Sequence, residues 1–282
     1  IYLPRVIIGQ RYYFSRKKWR YHLAEVHELA LSHDIPVFTP SSLKNDEELV
    51  KFKNLEADLA LIVAYGLILP KNIIESTKFG CINIHPSLLP KYRGATPIQS
   101  ALLNGDKVSG MSIIQMDEGV DSGDILLQKE CELGEGDDYP VLAEKFADMG
   151  ANMAIEAIRG VIDGSVVGAK QDDSRASLSK KILKADAKLD LEQGVDKILN
   201  KIRAFSDFMT AFVEFRGERI KIFKAKRILE DDLSIDFVEF EGGAVNKDFV
   251  FKCKDGYFQP LILQKPGKSR VGIHDFLLGF RV

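Results

Sequence analysis

Residues 81–126 read CINIHPSLLPKYRGATPIQSALLNGDKVSGMSIIQMDEGVDSGDIL. Cys81-Ile82-Asn83-Ile84-His85 has the length and apolar content of a short strand, and Pro86 stops it because proline cannot continue the ladder. A loop follows, then a helix expected over 95–103 and two further strands over 110–116 and 125–132. Asn83 and His85 stand two apart, so their side chains leave the strand on the same face. They also sit at its carboxyl end, where open α/β sheets bind ligands.

Working outward, the same alternation continues on both sides. Upstream, 6–8 and 37–38 read as short strands, and 59–64 (LALIVA) is a continuous apolar run of the kind buried on both faces. Between them, 21–32 places Leu23, Val26, His27, Ala30 and Leu31 at helical spacing. Residues 42–53 and 71–76 read as further helices, and 139–163 as a long one. Strands alternating with helices across short links predict a parallel, doubly wound, Rossmann-like sheet over residues 1–165. Beyond it, 166–180 is polar and repeat-free, as a linker would be. A second domain is expected over 181–282. It opens with a helix over 195–204. Strands follow over 211–216 and 219–226 around Gly217-Glu218, and over 248–253 and 258–263 around Asp255-Gly256. Short strands at such close spacing suggest a small β-barrel.

Composition narrows the class. The chain has 282 residues, 45% hydrophobic and 28% charged, enough for a substantial core in one or two domains. A net charge of −2 excludes a uniformly basic nucleic-acid coat but leaves room for a local patch. Residues 181–282 carry 19 basic against 16 acidic side chains, which points the second domain toward an acidic partner. Cys81, Cys131 and Cys253 are far apart and form no CxxC pair, so a disulfide scaffold or zinc ribbon is not expected and a reducing compartment fits. No apolar run is long enough to span a bilayer. Arg5 and Arg11 flank too short an apolar stretch for a signal peptide. The expectation is a soluble, cytoplasmic, monomeric chain with no membrane partner.

Two clusters could do chemistry. An Asn amide beside an imidazole suits the stabilisation of a developing oxyanion. A histidine that merely bonds a backbone carbonyl at the end of a strand fits the spacing of His85 equally well. Asp117-Glu118-Gly119-Val120-Asp121-Ser122-Gly123-Asp124 packs four carboxylates among two glycines. It reads as a solvated turn, as a calcium loop lacking the distal Glu of an EF-hand, or as a source of one carboxylate that orients His85. The residues alone leave these open. Separately, 11–21 (RYYFSRKKWRY) interleaves five basic residues with Tyr12, Tyr13, Phe14, Trp19 and Tyr21. Such a mixture neutralises phosphates and stacks on unpaired bases, although aromatics entering a core would look the same.

Residues 81–126 as a whole closely resemble the signature of the folate-dependent formyltransferases. Asn83, His85 and Asp121 match that family's catalytic Asn, His and Asp, and Ser87-Leu88-Leu89-Pro90 matches the segment that contacts folate. Tyr92-Arg93-Gly94, Pro97-Ile98-Gln99 and Gln115-Met116-Asp117 extend the match toward the methionyl-tRNA formyltransferases. So do Ile35-Pro36-Val37-Phe38, Ala64-Tyr65-Gly66-Leu67-Ile68-Leu69-Pro70, Leu263-Gln264-Lys265-Pro266-Gly267-Lys268 and Asp275-Phe276-Leu277. The resemblance covers nearly the whole chain from about Arg5. It implies a formyltransferase domain followed by an OB-like barrel, 10-formyltetrahydrofolate as co-substrate with no metal, and initiator methionyl-tRNA as acceptor. It further implies folate contacts from Tyr65, Gly66, Leu69, Asp117, Glu118, Gly119 and Val120 as well as from Ser87 to Pro90. The tRNA contacts expected with it are Arg16, Lys17, Lys18, Arg93, Lys221, Lys224, Lys226 and Arg227. In such a site Asn83 and His85 would hold the oxyanion, and Asp121 would favour the imidazolium of His85 and handle the amine proton.

The sequence also departs from the pattern. The family opens with a strand–helix unit containing a Gly-Thr-Pro turn, a central strand of its sheet, and these residues have no counterpart before Ile1. The glycines usual in its basic loop are replaced by Phe14, Ser15 and Lys17-Lys18. A Pro-x-Pro pattern is absent at Arg203-Ala204-Phe205-Ser206-Asp207-Phe208. Sugar-nucleotide N-formyltransferases and 10-formyltetrahydrofolate hydrolases share the same three residues. The basic aromatic segment and the second domain favour tRNA over these, and over a glycinamide ribonucleotide formyltransferase. A non-catalytic RNA-binding protein on a decayed enzyme scaffold is opposed by retention of all three residues in register.

Overall fold

The computed structural model describes residues 7–8, 12–15, 20–23, 25–66, 68–207, 209–233 and 236–279, with backbone alone for 12–15 and 20–23. The chain opens with β1 (Ile7–Ile8), β2 (Tyr12–Ser15), β3 (Arg20–Leu23), α1 (Glu25–Ser32), β4 (Val37–Phe38), α2 (Asp46–Lys53), β5 (Ala60–Val63), α3 (Lys71–Ile74) and β6 (Cys81–His85). It continues through β7 (Arg93–Gly94), α4 (Pro97–Asn104), β8 (Val108–Gln115), β9 (Ile125–Glu132), the 25-residue α5 (Tyr139–Asp163) and β10 (Leu178–Ser179). The last third carries α6 (Val195–Phe205), β11 (Phe212–Phe215), β12 (Glu218–Ile228), β13 (Phe237–Phe240), β14 (Gly243–Asn246), β15 (Phe251–Cys253), β16 (Gly256–Gln264), β17 (Val271–Gly272) and α7 (Ile273–Leu278). Two compact units cut across this order. One comprises 1–85, 113–127 and 152–171; the other comprises 86–112, 128–151 and 172–282.

The α/β sheet has the strand order β5-β6-β8-β9. β5 and β6 are parallel, with Ile62 opposite Asn83. The parallel pairing of this Rossmann-like sheet does not extend to β8 and β9. The Met116 amide donates to the Cys81 carbonyl and the Gln115 amide to the Asp124 carbonyl. The end of β8 therefore lies beside the start of β6, and β8 turns back antiparallel into β9. The reason is the short helix-free link from 116 to 124, since a parallel return needs a crossover of a dozen residues or more. Ile82, Ile113 and Ile114 are buried and build the core of this sheet. The run 59–64 is not buried on both faces: Ala60 and Ile62 turn inward while Leu61 and Val63 are exposed.

Helix boundaries follow capping chemistry. The helix expected from residue 42 begins at Asp46, because Asn45 caps it: its Oδ1 accepts from the Glu48 amide at 2.9 Å. Asp46, Glu47 and Glu48 in the first turn and Lys51 and Lys53 in the last complement the helix dipole. Pro97 starts α4, and Gly105, with φ +69°, ends it. Residues 21–23, expected at the start of a helix, instead form β3, which pairs antiparallel with β2 from Tyr12–Leu23 to Ser15–Arg20. Aromatic-rich runs fit such a ladder better than a helix. Within the basic aromatic segment, 12–15 and 20–23 thus pair as antiparallel strands; Arg16, Lys17 and Lys18 lie outside the described residues.

The carboxyl-terminal sheet runs β11-β12-β16-β15-β14-β13, with β17 on β16. It curls into a half-barrel, in keeping with the OB-like barrel expected for this part of the chain. The first hairpin turns at Arg216-Gly217, one residue earlier than expected. Both residues have positive φ, +49° and +77°, the conformation a two-residue turn demands. Phe215, Phe249 and Phe251 are buried and meet edge to face, with ring centroids 4.8–5.9 Å apart. They supply the bulk of the apolar core there. The segment expected as a linker is ordered: β10 pairs parallel with β7, and Ala169 bridges to Ile125.

Candidate active site

β6 places Cys81, Asn83 and His85 on one face. Cys81 lies fully buried at its start, and burial pushes its thiol up to about 11. A thiol so protected is no nucleophile at neutral pH. His85, buried at the carboxyl end, has Nδ1 3.4 Å from Asp121 Oδ2, and Asn83 Nδ2 donates to Asp121 Oδ1 at 3.1 Å. Both side chains therefore converge on one carboxylate from 36–38 residues further along the chain. The carboxylate orients the ring, and the Asn amide keeps a second N–H that the first bond does not use. Of the readings the sequence left open, the structure brings together the one in which a carboxylate faces His85.

The loop that delivers Asp121 is tightly specified. Asp117 Oδ1 accepts from the Gly119 amide and the Ser122 hydroxyl, closing the turn on itself. Glu118 accepts from Lys71 Nζ at 2.6 Å. Asp121 sits at φ +50°, a left-handed conformation that side-chain-bearing residues seldom adopt. Gly123 is required two residues on, since a Cβ there would lie 1.8 Å from the Gln115 carbonyl oxygen. Gln171 Nε2 donates to the carbonyls of Asp121 and Gly123 at 2.9 and 2.7 Å. Gln115 Nε2 in turn donates to the carbonyls of Phe79 and Cys81 and so secures the start of β6. Three of the four carboxylates of the run 117–124 are thus engaged: Asp117 in turn closure, Glu118 in an ion pair and Asp121 with Asn83 and His85.

Of the other residues expected to contact folate, Tyr65 and Leu69 are half-buried, while Gly66, Asp117, Glu118, Gly119 and Val120 are exposed. Tyr65 Oη is buried and has no hydrogen-bond partner among the described residues. An orphaned hydroxyl of this kind is costly unless a ligand satisfies it. In the other unit, Ser87 and Leu89 are buried and Leu88 and Pro90 half-buried. Ser112 Oγ donates to the Ser87 carbonyl at 2.6 Å and accepts from the Leu89 amide and Gln128 Nε2, so the whole segment is held by a buried network.

Among the expected tRNA contacts, Arg93 pairs with Asp173 at 2.7 Å. Lys221 is half-buried, and Lys224, Lys226 and Arg227 are exposed on β12. Lys224, Lys226 and Arg227 line a cleft of about 470 Å³ that also holds Asp196 and Arg203, and Arg227 is paired with Asp196. Sequence reasoning missed Gln171, Ser112, Gln128 and Lys71. Each acts by bonding distant backbone or a distant side chain, which leaves no periodicity or spacing to read.

Residues 12–158 match the family model described as formyl transferase, and residues 181–281 the model described as formyl transferase, C-terminal domain. A methionyl-tRNA formyltransferase of Ehrlichia canis (strain Jake) is 40% identical over 257 residues, covering 91% of this chain and 82% of that protein. One from Pseudoalteromonas translucida (strain TAC 125) is 36% identical over 259 residues, covering 91% and 80%. Among solved structures, the N-formyltransferase from Helicobacter canadensis, in complex with folinic acid and dTDP-3-aminofucose, has a TM-score of 0.65 at 19% identity. It covers 93% of this chain and 100% of that one. HypX from Aquifex aeolicus in complex with tetrahydrofolic acid has a TM-score of 0.63 at 15% identity, covering 97% and 46%. At such identities the structural likeness speaks to the fold. With two family models and relatives matched over most of its length, the chain belongs to the formyl transferase family, and its curated relatives there are methionyl-tRNA formyltransferases.

Proposed function

We propose that the chain transfers a formyl group from 10-formyltetrahydrofolate to the α-amine of initiator methionyl-tRNA. The observation that carries this reading is the convergence of Asn83 and His85 on Asp121. The unpartnered Tyr65 hydroxyl and the donor set of the three residues fit the folate co-substrate, which supplies the formyl group on N10.

The chemistry asked of the residues is limited. An unprotonated amine bonds to the formyl carbon, the bond from that carbon to N10 breaks, and one proton passes from the amine to N10. Asn83 gives one N–H to Asp121 and the other to the formyl oxygen as it gains negative charge, and His85 gives the second hydrogen bond. Asp121 holds both donors in place and accepts the amine proton, directly or through water, before N10 receives one. All three groups come from one chain, which supports a site complete within a monomer, and the methionyl-tRNA formyltransferase relatives support a cytoplasmic setting. Folate contacts fall to Tyr65, Gly66 and Leu69, to residues 117–120, and to Ser87, Leu88, Leu89 and Pro90. Phosphate contacts fall to Arg16, Lys17, Lys18 and Arg93 and to the basic residues of β12. A net positive balance in 181–282 supports the acidic acceptor.

The reading is tested with labelled 10-formyltetrahydrofolate and four acceptors: charged initiator methionyl-tRNA, uncharged tRNA, free methionine and a 4-amino sugar nucleotide. Product with charged tRNA alone is expected. Product with the sugar nucleotide alone would replace the acceptor, and label released as formate with every acceptor would replace transfer by hydrolysis.

A further inference from the structure

Gln171 lies in the polar stretch that separates the two matched family segments, and its side chain is directed at the loop that delivers the carboxylate. A primary amide nitrogen carries two hydrogens, and Nε2 directs them at two carbonyls, those of Asp121 at 2.9 Å and Gly123 at 2.7 Å. These carbonyls bracket the turn in which Asp121 adopts φ +50°. Such a conformation persists only where its surroundings over-determine it. The neighbouring chain reinforces the hold. Ile125 and Ala169 exchange both backbone hydrogen bonds, at 2.8 and 2.9 Å. Gly168 lets the two segments close, since a Cβ there would lie 2.7 Å from Asp124 Cβ. All of these contacts fall within a single compact unit.

We propose that Gln171 is a positioning residue for formyl transfer, fixing the backbone of the 121–123 turn so that the Asp121 carboxylate meets Asn83 and His85. The proposal rests on the reading that Asp121 takes part in the transfer. Without the amide, Asp121 relaxes toward right-handed backbone and its carboxylate leaves the two donors. Folate still binds, since Asp117 closes the 117–122 turn through its own bonds to Gly119 and Ser122 and the remaining folate contacts lie elsewhere in the chain.

The test compares wild type, Gln171→Met, Gln171→Glu, Asp121→Asn and the double variant Gln171→Met/Asp121→Asn. Single-turnover transfer, KM for 10-formyltetrahydrofolate and thermal unfolding are measured on the full chain. Gln171→Met keeps the side chain's length without its donors. Gln171→Glu keeps its shape and likewise has no N–H to give, so it stands in if the first variant folds poorly. The expected result is a loss of at least tenfold in transfer rate for each Gln171 variant, with KM within twofold. The double variant should be no more than twofold slower than Asp121→Asn. A slow Asp121→Asn beside Gln171 variants within twofold of wild type would overturn the positioning role alone. So would a double variant in which the two losses multiply, the mark of a residue acting independently of Asp121. An Asp121→Asn variant as fast as wild type would overturn the reading of the site itself.

Discussion

Replacing Asn83 by alanine isolates one donor of the site. Its amide donates one N–H to Asp121 Oδ1 at 3.1 Å, and in the proposed transfer the other serves the formyl oxygen. Removing one preoriented donor to a developing oxyanion costs about 3–4 kcal/mol of barrier, roughly 10²–10³-fold in rate. The lost bond to a charged acceptor costs about 1.5–3 kcal/mol of stability where buried. Asp121 retains His85, and water reaches the half-buried site, so the stability loss should sit at the low end of that range. The two effects are measured separately. A rapid-mixing assay with enzyme in excess over labelled formyl donor reads the chemical step, and thermal unfolding reads the fold. A rate at least a hundredfold below wild type in a protein that melts within a few degrees of it is expected. A single-turnover rate within threefold of wild type would refute the oxyanion role.

Other consequences follow from neighbouring contacts. Gly123→Ala drives a methyl into the Gln115 carbonyl; it should cost about 1–3 kcal/mol by thermal unfolding and slow turnover at least tenfold. Ser112→Ala strips the buried hydroxyl that joins Ser87, Leu89 and Gln128, leaving groups unpaired at about 1–3 kcal/mol, and should raise KM for the folate while sparing KM for the tRNA in steady-state kinetics. In native protein at pH 7.5 one thiol, Cys131, should alkylate quickly, with Cys81 and Cys253, both pushed up to about 11, reacting only after unfolding. Burial works to raise the Asp137 carboxyl, but the bonds from Lys145 and the Gly134 amide outweigh it and hold it below its ordinary value. Its stabilising contribution is therefore present above the ordinary carboxylate range and lost as pH falls through the depressed value. Asp137→Asn should melt below wild type at pH 7, with the gap narrowing below about pH 4.

Much of this site was legible in the sequence because two of its three groups share a strand. Period-two spacing placed Asn83 and His85 on one face, and Pro86 marked the strand end. Nothing local pointed Asp121 at them; the resemblance did, since one carboxylate among four is indistinguishable by spacing. The reversal of β8 and the β2–β3 pairing escape local pattern for a related reason: both depend on pairing between segments, while local pattern sees only the segment itself. The polar run 166–180 was read as a linker on composition. Its hydrogen bonds include ones to residues 48 to 86 positions earlier, which composition cannot express.

In the proposed reaction Asn83, His85 and Asp121 together carry formyl transfer to methionyl-tRNA. This role is tested most directly by following N-formylmethionyl-tRNA formation in a single turnover by wild type and by Asp121→Asn, each first shown to be folded and to bind 5-formyltetrahydrofolate. Rapid product from wild type and a loss of at least a hundredfold in the variant are expected. Equal rates in the two, or no formylated methionyl-tRNA from wild type, would contradict it.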